Sequence, residues 1–185
     1  MPVFVSLIRG INVGGNKLIK MDALKALHEG LGFEDVKTLL ASGNVVFTAR
    51  DKDRKKLPGA IEAAIEKEIG FRPTVMVRSA TELKAIAERN PFAKMAKTNP
   101  GHLVWMALAG KPHSDAQARL ARAYSGPEEI EIVGEDAYIT YPNGIGRSKL
   151  TNALLEKHLG VAGTARNWNT LTKLLVVADA IDPRA

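Results

Sequence analysis

Four stretches of this chain bring glycine, asparagine and a cation together closely enough to hold an anion. "RGINVGGNK" carries Arg9, Asn12, Gly14, Gly15 and Lys17, and "SGN" carries Ser42 and Asn44. "NGIGRSK" carries Arg147, Ser148 and Lys149, and "TARNWNT" carries Arg166, Asn167 and Trp168. Glycine has no Cβ, so backbone amides at such positions can approach a ligand closely. The last two stretches each lead into a predicted helix, whose free N-terminal amides and dipole favour an anion. If a helix starts at Ser148, Arg147 and Lys149 lie at the positive end of its dipole, a mismatch that a bound anion offsets. Each loop taken alone has a plainer explanation. Glycine permits turns, Ser148 and Asn169 cap helices, and Trp168 serves as a hydrophobic staple rather than a stacking face. Their shared sign and composition make one anion site collected from all four the leading functional expectation, with a phosphate-bearing small molecule as its ligand.

Other chemistries lack their residues. Gly110-Lys111 is followed by Pro112, so the lysine and hydroxyl that a Walker A loop brings to phosphate and magnesium are not both present. "GIGRSK" puts Lys149 where the third glycine of a dinucleotide fingerprint belongs. No HExxH, nucleophile elbow or EF-hand loop occurs, and neither a metal site nor a cofactor is expected. His28, His102, His113 and His158 stand singly, and His28 and His158 fall at the edge of apolar helix stripes, where a satisfied imidazole is the expected role. No pair of carboxylates stands out as acid and base, so no catalytic residue is assigned and enzymatic activity stays open. The chain has no cysteine, which rules out disulfides and thiolate metal sites and suits a reducing cytosol.

The net charge of +6 admits nucleic-acid binding through phosphate contacts as an alternative, although the 20 acidic residues are spread through the chain. "VFVSLI" resembles the first strand of RNA-recognition modules, with Phe4 in place and Phe47 as a second match. Ser42 and Asn44 flank Gly43 where stacking aromatics belong, so base stacking is not expected. A protein-interaction module without catalysis, assembling through a sheet edge or an apolar helix face, is the third reading. The N-terminal apolar run reads as a strand, being too short for a signal peptide or a span of about 20 residues, so no membrane partner is expected. Oligomeric state is unassigned.

The elements that position these loops are read from periodicity. Val3 to Ile8 is apolar on both faces, the pattern of a central strand. Leu24, Leu27, His28 and Leu31 mark one helix face, stopped by Gly32. Val36–Ala41 and Val45–Thr48 are strands joined by "SGN". A helix near Pro58 buries Leu57, Ile61, Ile65 and Ile69, and Thr74–Val77 is a strand. The order β-α-β-β-α-β is the split β-α-β arrangement of ferredoxin-like folds. Ser79 and Glu82 form a capping box for a helix that ends at Asn90-Pro91. "HLVWMALA" is a strand, Ser114 and Gln117 cap a helix, and "EIEIVGEDAYITY" is a hairpin. Helices from Ser148 and from about Asn169 complete a β-α-β-β-α half with an extra helix. The expectation is an α+β protein of two small subdomains, residues 1–79 and 80–185, with mostly antiparallel sheets covered by helices.

"LIRGINVGGNKLIKMDALKALHEGLGF", "LLASGNVVF", "NPF" and "IGRSKLTNALLEKHLGVAGTARNWNTLTKL" resemble the bacterial family catalogued as domain of unknown function 1697. The resemblance covers nearly the whole chain. It implies a cytosolic α+β protein of two subdomains related to the ferredoxin-like plan, and it brings no established activity and no catalytic residues.

Overall fold

The computed structural model describes residues 1–15, 17–50 and 54–182. The chain divides into two compact units, Met1–Ala85 with Lys173–Ala185, and Ile86–Thr172.

The first unit contains β1 (Val3–Ile8), α1 (Met21–Gly30), β2 (Glu34–Leu39), β3 (Asn44–Thr48), α2 (Leu57–Ile69) and β4 (Val75–Ser79), followed by α3 (Ala80–Glu88). Its strands form one antiparallel sheet in the order β2-β3-β1-β4, so the two strands that are neighbours of β1 in space are not its neighbours in sequence. Alternation sorts the side chains. Phe4 and Ile8 of β1, Val45 and Phe47 of β3, and Val75 and Val77 of β4 join Leu24 of α1 and Ile61 and Ile65 of α2 in one core. Val5, Leu7, Val46 and Met76 point to the opposite face and are buried as well, which is why β1 reads as a continuous apolar run. Gly70 ends α2 in the left-handed region at φ 70°, its amide donating to the Glu66 carbonyl at 2.8 Å. The capping box is present: Glu82 N donates to Ser79 Oγ at 3.1 Å, and Ser79 N donates to Glu82 Oε2 at 2.7 Å.

The second unit contains α4 (Ala93–Thr98), β5 (Leu103–Leu108), α5 (Ala116–Ala123), β6 (Ile130–Val133), β7 (Asp136–Thr140), α6 (Asn152–Leu159) and β8 (Gly163–Asn167); α7 (Trp168–Ile181) begins there. Its antiparallel sheet has the order β6-β7-β5-β8. Val104, Met106 and Leu108 pack with Leu120, Ile139, Leu155 and Leu159.

Three local expectations are corrected here. "GTARN" is a strand and not a loop, pairing with β5 from Leu108↔Gly163 to Val104↔Asn167. The second sheet therefore has four strands, β8 covering the side of β5 away from β7, with β6 and β8 at its edges. Space is tight where β8 starts: a Cβ on Gly163 would lie 2.5 Å from Met106 Cε, so the Met106 side chain would have to shift. Next, α6 starts at Asn152 rather than Ser148, with Leu154 N donating to Thr151 Oγ1 at 3.2 Å. Residues 145–147 wind a single 3-10 turn, Ser148 leaves it extended at φ −81° and ψ 142°, and its Oγ accepts from Leu150 N at 3.0 Å. Arg147 and Lys149 thus precede the helix, and the dipole mismatch expected for them does not arise. Finally, Ser114 does not cap α5, which follows Asp115 without a side-chain cap bond, while Gln117 Nε2 donates to the Ile130 carbonyl at 2.7 Å.

Candidate functional site

The loop after β1 and the loop before β3 meet at one end of the first sheet, because β1 and β3 are antiparallel neighbours with Leu7 opposite Asn44. Ile8 N donates to the Gly43 carbonyl at 2.9 Å, which carries the ladder one step into the turn. Asn12 organises the loop that leaves β1. Its Nδ2 donates to the carbonyls of Ile19 at 3.0 Å and Ala41 at 2.8 Å, and its Oδ1 accepts from Ile19 N at 2.9 Å. Its own amide donates to the Lys17 carbonyl at 3.2 Å. Asn12 holds φ 55°, a left-handed value that asparagine accepts more readily than most residues. One side chain therefore closes the loop on itself and fastens it to the β2–β3 turn.

The turn has its own staple. Asn44 is fully buried, and its Nδ2 donates to the Leu39 carbonyl at 2.8 Å and to Ser42 Oγ at 3.0 Å. Gly43 sits at φ 79°, and a Cβ there would stand 2.7 Å from Ile11 Cδ1, so both conformation and space demand glycine. Asn12 and Asn44 are consequently the framework of this loop pair. Gly14 at φ 62° and Gly15 at φ 75° are exposed with open space around them. Lys17 Nζ lies 3.9 Å from the centroid of the Phe71 ring, a cation–π contact that places its charge beside the α2–β4 loop. Arg9 is half-buried and its amide donates to the Thr74 carbonyl at 3.0 Å. The described residues of the three loops at this end, 9–20, 40–43 and 70–74, include Arg9, Lys17, Lys20 and Arg72 and no acid. Arg72 is matched by Glu62 at 3.3 Å and Glu66 at 3.1 Å.

The C-terminal candidates belong to the second unit and have different surroundings. Arg147 and Lys149 are exposed. Ser148 neighbours Glu128: burial works to raise that carboxyl, but the Ser148 and Tyr124 hydroxyls, donating to it, leave it below its ordinary value. An anion at Ser148 would meet a carboxylate that already takes its hydrogen bond. Arg166 is buried, donating from Nη1 to Thr164 Oγ1 at 2.7 Å and to the Ala165 carbonyl at 2.9 Å, and burial pulls its guanidinium down to about 10. Asn167 Oδ1 accepts from Thr170 N at 3.0 Å and caps α7. Trp168 is buried with its ring 6.4 Å from that of Tyr138. These three serve the interior and the cap rather than a rim.

The partners in two buried polar arrangements were not visible in the sequence, although His28 was expected to be a satisfied imidazole. Ser6 Oγ lies 2.9 Å from His28 Nε2, and His28 Nδ1 lies 2.8 Å from the Leu24 carbonyl. A carbonyl only accepts, so Nδ1 carries the proton and Ser6 donates to Nε2. This serine–histidine pair has no access to solvent and is bordered by Phe33 and Phe47, which makes it a core element. In the second unit Trp105 Nε1 donates to Asp136 Oδ1 at 2.9 Å, with Arg89 Nη2 3.8 Å from Asp136 Oδ2. The partners are 22 and 31 positions apart, beyond any local pattern.

An open groove of about 820 Å³ runs between α1 and α2, lined by Ala23, Leu27, Ala60 and Ala64 among others, with Lys67 and Glu68 as its charged residues. It lacks the convergent polar groups that chemistry needs. Among the described residues no group of three or more His, Asp or Glu could hold a metal ion, and no helix is long and apolar enough to cross a membrane.

The sequence matches the family model described as Protein of unknown function (DUF1697) over residues 1–138. The fold is similar to that of the conserved bacterial protein SP0830 from Streptococcus pneumoniae, with a TM-score of 0.72, 20% identity, and coverage of 96% of this chain and 98% of that one. At that identity the likeness is one of fold. The curated proteins give no match.

Proposed function

Since the chain belongs to the DUF1697 family of proteins of unknown function, where no activity is available to inherit, we propose from its loops that the first unit binds a phosphate-bearing or otherwise anionic small molecule. The observation that supports this is the Asn12 hub, which fastens the 9–20 loop to the β2–β3 turn and leaves the exposed glycines Gly14 and Gly15 beside Lys17. Successive backbone amides in a turn can form an anion-binding concavity, and Gly14 and Gly15 are successive turn residues with open space around them. Arg9 and Lys17 supply charge, Ser42 adds a hydroxyl, and Asn12 and Asn44 hold the frame. Arg147 and Lys149 remain candidate ionic contacts of the second unit. Of the described large apolar side chains that are exposed, none is aromatic, so base stacking by a single-stranded nucleic acid has no support. The cysteine-free composition supports a cytosolic location.

An NMR titration tests this reading. Inorganic phosphate and a sugar phosphate, each against sodium chloride at matched ionic strength, should shift the amides of Gly14, Gly15 and Lys17 saturably. Lys17→Glu should abolish the shifts. Phosphate-independent spectra at these amides, or changes that chloride reproduces, reject the site.

A further inference from the structure

The ligand's chemistry can be narrowed further, on the premise that the first-unit loops bind an anion. Six large apolar side chains are exposed among the described residues, and three of them, Val13 at 67%, Leu18 at 65% and Leu40 at 47%, flank the residues that Asn12 binds. Val13 comes directly after Asn12. Leu18 stands between Lys17 and Ile19, whose carbonyls accept from Asn12, and Leu40 precedes Ala41, whose carbonyl accepts from it too. Val13, Leu18 and Leu40 thus sit on two loops that Asn12 fastens together, at the same end of the sheet as Arg9, Lys17 and Lys20. Leu40 is held at φ 60°, where a bulky residue is uncommon and costly. Clustered exposed aliphatics mark a binding surface, whereas scattered ones need no explanation. Aliphatic groups beside cations, with no acid in these loops, suit a ligand that is itself apolar on one side and negative on the other.

We propose that this loop end binds a phosphate-bearing amphiphile, an anion joined to an aliphatic chain, with the phosphate at Gly14, Gly15 and Lys17 and the chain against Val13, Leu18 and Leu40. The same chemistry is offered by a soluble alkyl phosphate and by an anionic lipid headgroup.

Isothermal titration of the full chain with inorganic phosphate, butyl phosphate and hexyl phosphate, beside flotation with phosphatidylcholine vesicles with and without phosphatidic acid, tests it. Affinity should rise along the series by up to about fourfold per methylene that is fully buried. The V13S/L18S double variant should bind inorganic phosphate as the parent does and lose the rise. Binding to the soluble phosphates assigns a free ligand, and binding to phosphatidic acid vesicles alone assigns the bilayer headgroup; both support the amphiphile. Equal affinity for inorganic and hexyl phosphate in solution, with no preference for phosphatidic acid vesicles, overturns it while keeping the anion site. So does a rise that V13S/L18S leaves intact. Failure of every phosphate ligand removes the anion site itself. If sedimentation shows self-association that V13S/L18S abolishes and no rise is seen, the patch joins copies of the chain and the amphiphile is rejected.

Discussion

Arg78 and Arg166 hold the same station in two different sheets. Arg78 lies opposite Val5, the third residue of β1, and Arg166 lies opposite Trp105, the third residue of β5. Both are buried, and each donates from Nη1 to the carbonyl of the residue before it, Val77 at 3.1 Å and Ala165 at 2.9 Å. Each is followed by the cap of a helix, Ser79 accepting from Glu82 N and Asn167 from Thr170 N. The two units thus share a residue-level device at the junction of fourth strand and helix, besides the order of their elements.

Because Arg166 is buried among hydrogen-bond acceptors, Arg166→Ala should destabilise the second unit by roughly 2 to 3 kcal/mol, the cost of stranding partners of a charged donor. Arg166→Lys should recover little, since an ammonium cannot reproduce a planar fork. Both tryptophans, Trp105 and Trp168, fall within the second unit, so tryptophan fluorescence during urea unfolding reads this change without interference from the first.

His28 makes the stability of the first unit acid-sensitive. Burial, the dominant cause, lowers its pKa to about 4 from 6.5 despite the bond to the Leu24 carbonyl. The folded state keeps the ring neutral where the unfolded chain takes up a proton. Its contribution is therefore complete above pH 6.5 and is lost as pH falls toward 4, by about 3 kcal/mol in all. Circular dichroism of urea unfolding between pH 7 and pH 4 should show this loss. A Ser6→Ala/His28→Leu variant, with both partners replaced, should show a correspondingly shallower dependence; an unchanged slope would assign the acid sensitivity to carboxylates.

Asn12→Ala should cost roughly 2 kcal/mol, by removing the side-chain bonds to Ile19 and Ala41 and by forcing alanine to φ 55°. Asn12→Gly should relieve the second contribution only. Hydrogen exchange at the Ile19 amide, now protected by Asn12 Oδ1, should accelerate in both variants, and stabilisation by phosphate should disappear with it.

Thr151→Ala should lower helix stability by about 1 kcal/mol because Thr151 is the cap of α6. Ser148→Ala should leave the helix nearly unaffected and instead raise the Glu128 pKa, readable from its side-chain carbon shift, as one of the hydroxyls holding that carboxyl down is removed. An unmoved Glu128 would mean that Ser148 is not among its donors in solution.

The sequence made β1, α1, α2 and the Ser79–Glu82 box legible, since each depends on spacing within a dozen residues. β8 was not legible, because "GTARN" has neither an apolar alternation nor branched residues beyond Thr164; it becomes a strand through the open side of β5 and a glycine that fits under Met106. Arg166 read as a surface cation for the ordinary reason that lone arginines between polar residues are mostly exposed. Ser148 and Thr151 are both good caps three positions apart; the structure uses Thr151, while Ser148 bonds to Glu128, twenty residues before it. For the candidate site, composition singled out Asn12 and Asn44 as ligand contacts, and the structure gives them backbone and hydroxyl partners within the loops themselves, which no spacing foretold.

The first unit is discontinuous, Met1–Ala85 with Lys173–Ala185, while the second is a single run, Ile86–Thr172. On the ribosome, where domains tend to fold as units in order of synthesis, this reverses the usual sequence of events. The whole of the second unit is synthesised before the last segment of the first, so the half that is started first is the half that is finished last. Its opening strands and helices wait, through the translation of an entire neighbouring unit, for the segment that closes it.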